Sequence, residues 1–137
     1  MGLESSLWQC FKGALPDSTH VVRIENRVEV GTPDVNGCHS SKDFWIELKV
    51  ADKPKLASTH VAVDHFTAEQ RCWLFDRWAA GGNAWLLLQV GRCYLLLDGD
   101  VAAVLVGYAT FEALASRAVV STTVMPRVTD YITGSRR

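Results

Sequence analysis

Residues 44–50 read Phe-Trp-Ile-Glu-Leu-Lys-Val, a strict two-residue alternation that an extended strand satisfies and a helix does not. Phe44, Ile46, Leu48 and Val50 fall on one face as an unbroken apolar stripe, and Trp45, Glu47 and Lys49 share the other. A stripe of this kind predicts a strong, central strand. Glu47 and Lys49 then project side by side from the middle of a sheet, where ionisable groups are costly unless paired, bound to metal or wet. An edge strand with a solvated face and a simple Glu–Lys pair accounts for this stretch equally well.

The remainder of the chain supplies the partners such a strand needs. Leu3, Leu7, Cys10 and Phe11 recur at helical spacing, predicting an amphipathic helix over 3–14 that ends at Pro16-Asp17-Ser18. Residues 21–30 read as a strand, with Val22, Ile24, Val28 and Val30 on one face and Arg23, Glu25, Arg27 and Glu29 on the other. Gly31-Thr32-Pro33 turns the chain, and Asp34-Val35-Asn36-Gly37 begins a short strand or bend. After a polar loop, a helix is predicted over 67–80, opened by Thr67 as N-cap and closed by Gly81-Gly82. Ala84–Val90 and 93–97 are apolar strands joined through Gly91-Arg92, and Phe111–Arg117 reads as a last helix. The order α-β-β-β-α-β-β with a helical end predicts an α/β protein built on a mixed β-sheet flanked by helices.

Size and composition bound the possibilities. The 137 residues are one domain's worth, 48% hydrophobic and 21% charged, which excludes disorder, collagen and coiled coil. The longest apolar run, 101–106, is six residues, against the roughly 18 a membrane span needs. The first five residues have neither the basic nor the apolar region of a secretory leader. Cys10, Cys38, Cys72 and Cys93 show no close zinc or redox spacing, so reduced thiols in a cytoplasmic compartment are expected. The net charge of −1 does not advertise a polyanion partner, but an acidic metal site can cancel phosphate-binding cations.

Asp34, at the end of the preceding strand region, gives Glu47 and Lys49 a second carboxylate. Two carboxylates and a lysine on adjacent strands can meet in one cleft. Hard cations such as Mg²⁺ take carboxylate oxygens and keep waters for a substrate phosphate, and a neighbouring lysine can position water or offset developing charge. That is the chemistry of phosphodiester hydrolysis. Pro33-Asp34 followed by Glu47-Leu48-Lys49 in an apolar strand resembles the signature of the PD-(D/E)XK nuclease superfamily. Gly31-Thr32-Pro33-Asp34-Val35, the strand 44–49 and Thr67-Ala68-Glu69-Gln70 are similar to its VRR-NUC and Holliday-junction-resolvase-like branches, including small phage-type nucleases. The resemblance covers about 3–97, with 98–137 as a helical C-terminal extension of the same domain. It implies a restriction-endonuclease-like core and Mg²⁺-dependent DNA cleavage, Mn²⁺ substituting. By the same match Asp34, Glu47 and the Leu48 carbonyl are metal ligands, and Lys49 is the catalytic lysine.

Such nucleases often carry a further early acidic residue near the metal. Glu25 suits that role, with Glu29 and Glu4 as rivals, and a strand-face charge paired with Arg23 or Arg27 is the plainer account. Gln70 matches a site glutamine of the resolvase-like branches, yet it also completes Thr67-x-x-Gln70, a capping box. The site role is slightly favoured, because Gln70 shares a helix face with Trp73, Leu74, Arg77 and Trp78. Lys53 and Lys55 are the best-placed phosphate contacts. Arg23 and Lys42 are further candidates for DNA binding; Arg71, Arg77, Arg136 and Arg137 could contact phosphates as well, with a solvated charge the plainer account of each. His20, His39, His60 and His65 form no nuclease pattern, no serine or cysteine nucleophile has a partner, and the five tryptophans read mostly as core.

The leading reading is a metal-dependent endonuclease for branched DNA, working as a homodimer or higher homo-oligomer because one site cuts one strand. A site-specific homing- or restriction-like enzyme of the same fold, and a non-catalytic DNA-binding module that kept the fold, remain the alternatives.

Overall fold

The computed structural model describes residues 3–25 and 30–134. Eleven elements follow in order: α1 (Leu3–Ala14), β1 (His20–Arg23), β2 (Val35–His39), β3 (Lys42–Ala51), α2 (Ala68–Ala79), β4 (Ala84–Val90), β5 (Cys93–Asp98), α3 (Gly99–Leu105), α4 (Phe111–Arg117), β6 (Val120–Thr122) and α5 (Met125–Thr133). The six strands form one sheet in sequence order, β1-β2-β3-β4-β5-β6. Every neighbouring pair is antiparallel except β3 and β4, which run parallel with Glu47 opposite Leu86. The sheet is therefore mixed, and α2 is the crossover that a parallel pair requires.

The strand 44–50 lies within β3, one of the two central strands. Phe44, Ile46 and Leu48 are fully buried in a layer with Leu7, Phe11, Met125, Val128 and Ile132, from α1 and α5. Burial of each such side chain is worth about 1.5–3 kcal/mol. The opposite face carries Leu86, Leu88 and Leu95, closed by Leu74, Ala102 and Leu114 of α2, α3 and α4. Trp45, Glu47 and Lys49 point into this second layer, so the polar face predicted for β3 is covered rather than solvated.

The β2–β3 hairpin turns through Ser40 and Ser41, both with positive φ (49° and 72°), the conformation of a two-residue type I′ turn. Gly37 sits opposite Phe44. A side chain at Gly37 would occupy the space taken by the Phe44 ring, so a residue without Cβ is required there.

Two expectations change. The strand predicted over 21–30 is β1, His20–Arg23, followed by one further backbone bond from Ile24 N–H to the Asp34 carbonyl at 2.6 Å. Arg27, Val28 and Glu29 of that prediction lie outside the described residues, as do Arg136 and Arg137. The segment from 98 onward is more than a helical extension. It supplies β6, paired to β5, and α5, whose Met125, Val128 and Ile132 belong to the core shared with α1. The helix α5 opens with Pro126 in its first turn and closes on Gly134 in the left-handed region.

Candidate active site

The site forms where β2 gives out. The β2 ladder begins at Val35, opposite Ile46, so beyond Ile46 the outer side of β3 has no described strand beside it. Asp34, just before β2, fills the first vacancy: its Oδ2 accepts the Leu48 N–H at 3.0 Å. The N–H and C=O of one strand residue project the same way, so the Leu48 carbonyl also points to the Asp34 side, while its side chain is buried in the layer beneath.

Glu47 and Lys49 stand on the opposite face, 1% and 4% exposed. Lys49 Nζ lies 3.7 Å from Glu47 Oε2 and donates to the His65 carbonyl at 2.9 Å. His65 adopts φ 62°, uncommon for a residue with a side chain. That conformation, in the loop before α2, turns its carbonyl to the lysine. Glu47 Oε1 has no hydrogen-bond partner; it and Trp45 Nε1 are the buried side-chain polar atoms left unpaired among the described residues.

These surroundings set the charge of Glu47. Burial foremost, then the Asp34 carboxylate, push its pKa up from 4.5 to about 9, against the opposing pull of Lys49. Glu4, in the first turn of α1, adds to the rise. Without a cation the Asp34–Glu47 pair therefore holds a proton at neutral pH.

The structure thus brings together Asp34, Glu47, Leu48 and Lys49. No contact joins Glu25 to them among the described residues. Glu25 follows Ile24, whose N–H donates to the Asp34 carbonyl; it is exposed and joins no hydrogen bond or ion pair among the described residues. Glu4, its rival, acts on Glu47 through charge, less strongly than Asp34 does. Gln70 forms the capping box: its Oε1 accepts the Thr67 N–H at 2.9 Å, and its own N–H donates to Thr67 Oγ1 at 3.2 Å. The capping box commits its side-chain oxygen to the end of α2.

Of the candidate phosphate contacts, Lys53 lies over the Phe111 ring at 5.0 Å and Lys55 is exposed, both just beyond the C-terminal end of β3. Lys53 borders a cavity of about 410 Å³ that Asp52, His60 and Asp64 also line. Arg23 lies over Trp8 at 5.8 Å. Lys42 is at the far end of β3, about 16 Å along the strand from Glu47 at 3.3 Å per residue. The His65 carbonyl was not foreseeable, because no sequence signal marks a left-handed histidine.

Among the described residues no three Asp, Glu, His or Cys side chains converge to hold a metal ion alone. A Mg²⁺ site needs only one or two carboxylates, the rest being carbonyl and water oxygens. The orphaned Glu47 oxygen beside Asp34 fits that donor set.

No protein-family model matches the sequence, and no curated protein matches it. Among solved structures, a Holliday junction resolvase from the archaeal hyperthermophile Archaeoglobus fulgidus is similar over 72% of this chain and 70% of its own, with 17% identity and a TM-score of 0.44.

Proposed function

We propose that this protein is a divalent-metal-dependent DNA endonuclease that hydrolyses phosphodiester bonds, acting on branched DNA. The observation that carries the reading is the buried Glu47 carboxylate, with one oxygen unpaired, set against Asp34 and Lys49 at the strand edge where β2 ends. Ionised, such a buried group costs several kcal/mol unless a partner satisfies it; a proton does so at neutral pH, and a hard cation is the partner this donor set suits for the charged form. The order Pro33-Asp34, Glu47-Leu48-Lys49 supports the same chemistry.

Asp34, Glu47 and the Leu48 carbonyl would hold Mg²⁺ or Mn²⁺. When bound, such a cation supplies Lewis acidity toward a phosphodiester oxygen and makes water a stronger nucleophile. Asp34 does double duty, bracing the backbone at Leu48 while it faces Glu47. Glu47 loses its proton as a cation arrives, so binding is linked to proton release. Lys49, steadied by the His65 carbonyl, keeps ammonium donors for a water or a phosphate oxygen. The protein acts as a homodimer, two copies placing one site on each strand of a junction. Val104 and Tyr108, 62% and 67% exposed, leave apolar surface for that contact. A reducing cytoplasm suits its four free cysteines, and no helix among the described residues is long and apolar enough to cross a membrane.

The test is cleavage of labelled four-way junction, flap and linear duplex in Mg²⁺ and in Mn²⁺, beside the Lys49→Ala variant. Metal-dependent cutting of the junction, lost in the variant, is expected. Tight binding that ignores metal, with no cutting of any substrate, overturns the reading in favour of a non-catalytic module.

A further inference from the structure

A second constellation occupies the same face of β3, one alternation before Glu47. Arg77, in the last turn of α2, lays its guanidinium over two indoles. Its Cζ is 4.5 Å from the Trp73 ring centre and 5.5 Å from that of Trp45. The two rings are themselves 5.1 Å apart and tilted by 56°. The turn after α2 is shaped around the arginine stem: a Cβ at Gly82 would stand 2.5 Å from Arg77 Cδ, and the Gly82 N–H donates to the Arg77 carbonyl at 2.9 Å. No carboxylate pairs with this guanidinium among the described residues, where Lys49–Glu47 is the ion pair present.

Arg77 borders a cavity of about 450 Å³, which Lys42, Asp43, Trp45 and Asn83 also line. Asp43 is engaged with Asn36, whose Nδ2 donates to its Oδ1 at 3.4 Å, and Asn83 Nδ2 donates to the Asp43 carbonyl at 3.0 Å. The cavity thus carries two positive charges, Lys42 and Arg77, against one carboxylate, Asp43, a balance that leaves it net positive. A cation in the last turn of a helix is favoured by the helix dipole. That accounts for a basic residue at 77 but not for its stack, its glycine seat or the cavity it faces.

We propose that Arg77 binds a backbone phosphate of the DNA strand next to the one held at Glu47 and Lys49. This rests on the endonuclease reading above. Stacking fixes the guanidinium plane and leaves its N–H fork free at the edge, the geometry that grips a phosphate with two hydrogen bonds. Trp45 and Glu47 are two residues apart on β3, about 6.6 Å; that face is covered by α2, so the DNA strand meets the arginine from the cavity at the end of the helix, which Gly81 and Gly82 also line, and not along β3. Lys42 adds a second positive charge at the rim.

Fluorescence anisotropy of a labelled four-way junction, in chelator and over a NaCl series, tests the proposal with the full-length chain. Arg77→Ala should weaken binding about tenfold and lower the salt slope by about one, the signature of one lost phosphate contact. Arg77→Lys should keep the slope and lose part of the affinity, since the charge remains but the fork does not. Gly82→Ala should act like Arg77→Lys by displacing the stem, with far-ultraviolet circular dichroism showing each variant folded. Unchanged affinity and slope in folded Arg77→Ala overturn the proposal alone if the wild type cleaves DNA. A wild type that neither binds nor cleaves overturns the proposal and the nuclease reading together.

Discussion

At the scale of single residues, Glu47 is the group whose environment matters most. It holds its proton to about pH 9 in the folded protein but only to about 4.5 when unfolded. Between those values the folded state binds more protons, so the stabilisation is complete below pH 4.5 and lost by about pH 9. In chelator, stability should fall with rising pH across this window, by at most about 1.4 kcal/mol per pH unit. Glu47→Gln, neutral at every pH, should flatten that dependence and raise the melting temperature at pH 8 while abolishing cleavage. Thermal melts at several pH values check both, and a slope unchanged in the variant would show that Glu47 is not the titrating group. Adding Mn²⁺ should stabilise the wild type more than the variant, because a ligand that prefers the native state shifts its melting point. Asp34 carries a structural as well as a chemical duty. Asp34→Asn keeps an acceptor for the Leu48 N–H and should fold but not cut, whereas Asp34→Ala strands that donor and should cost a further 1–3 kcal/mol or so. Chemical denaturation of the two variants separates these losses.

At the scale of elements, α2 serves the site indirectly. Thr67→Ala removes the N-cap acceptor and should cost about 1 kcal/mol, a fall of about 4 °C in melting temperature. Gln70→Ala should cost less and leave cleavage near the wild-type rate, because the side-chain oxygen of Gln70 is engaged in the cap. A rate loss of a hundredfold in Gln70→Ala would restore it to the chemistry. The resemblance raised Gln70 as a site residue, and the same four letters also encoded the cap. Spacing alone does not decide between the two, since both readings put the residue in the first turn. In β1 the period was legible but the length was not: alternation continued in the letters to residue 30, while pairing to β2 stops at Arg23 because β2 itself begins only at Val35. The Ser40-Ser41 turn gave no warning either, as neither residue is among those that take positive φ cheaply.

For the whole molecule, the C-terminal quarter is structural. Val120–Thr122 closes the sheet beyond β5, and Ile132 is fully buried in the layer under β3. Ile132→Ala should cost about 2–5 kcal/mol, as buried truncations do, measured by chemical denaturation. A chain ending at Asp98 should fail to unfold cooperatively, because it leaves the apolar stripe of β3 half covered. Cooperative melting of such a fragment would show the extension to be dispensable after all.

By itself the sequence determined which residues could not be far apart. The alternation over 44–50 fixed β3, its buried stripe and the shared face of Glu47 and Lys49, because side-chain direction in a strand follows from backbone geometry alone. The helix 67–80 was equally readable from its cap and its glycines. What the tertiary structure decided was every relation across the sheet. Asp34 meets Leu48 because β2 starts one residue later. Glu4 adds its charge at Glu47 from across the sequence, and Lys49 leans on a carbonyl from a loop sixteen residues on. Those pairings depend on register, burial and the path of the chain between strands, and short polar segments carry no periodicity from which to read them.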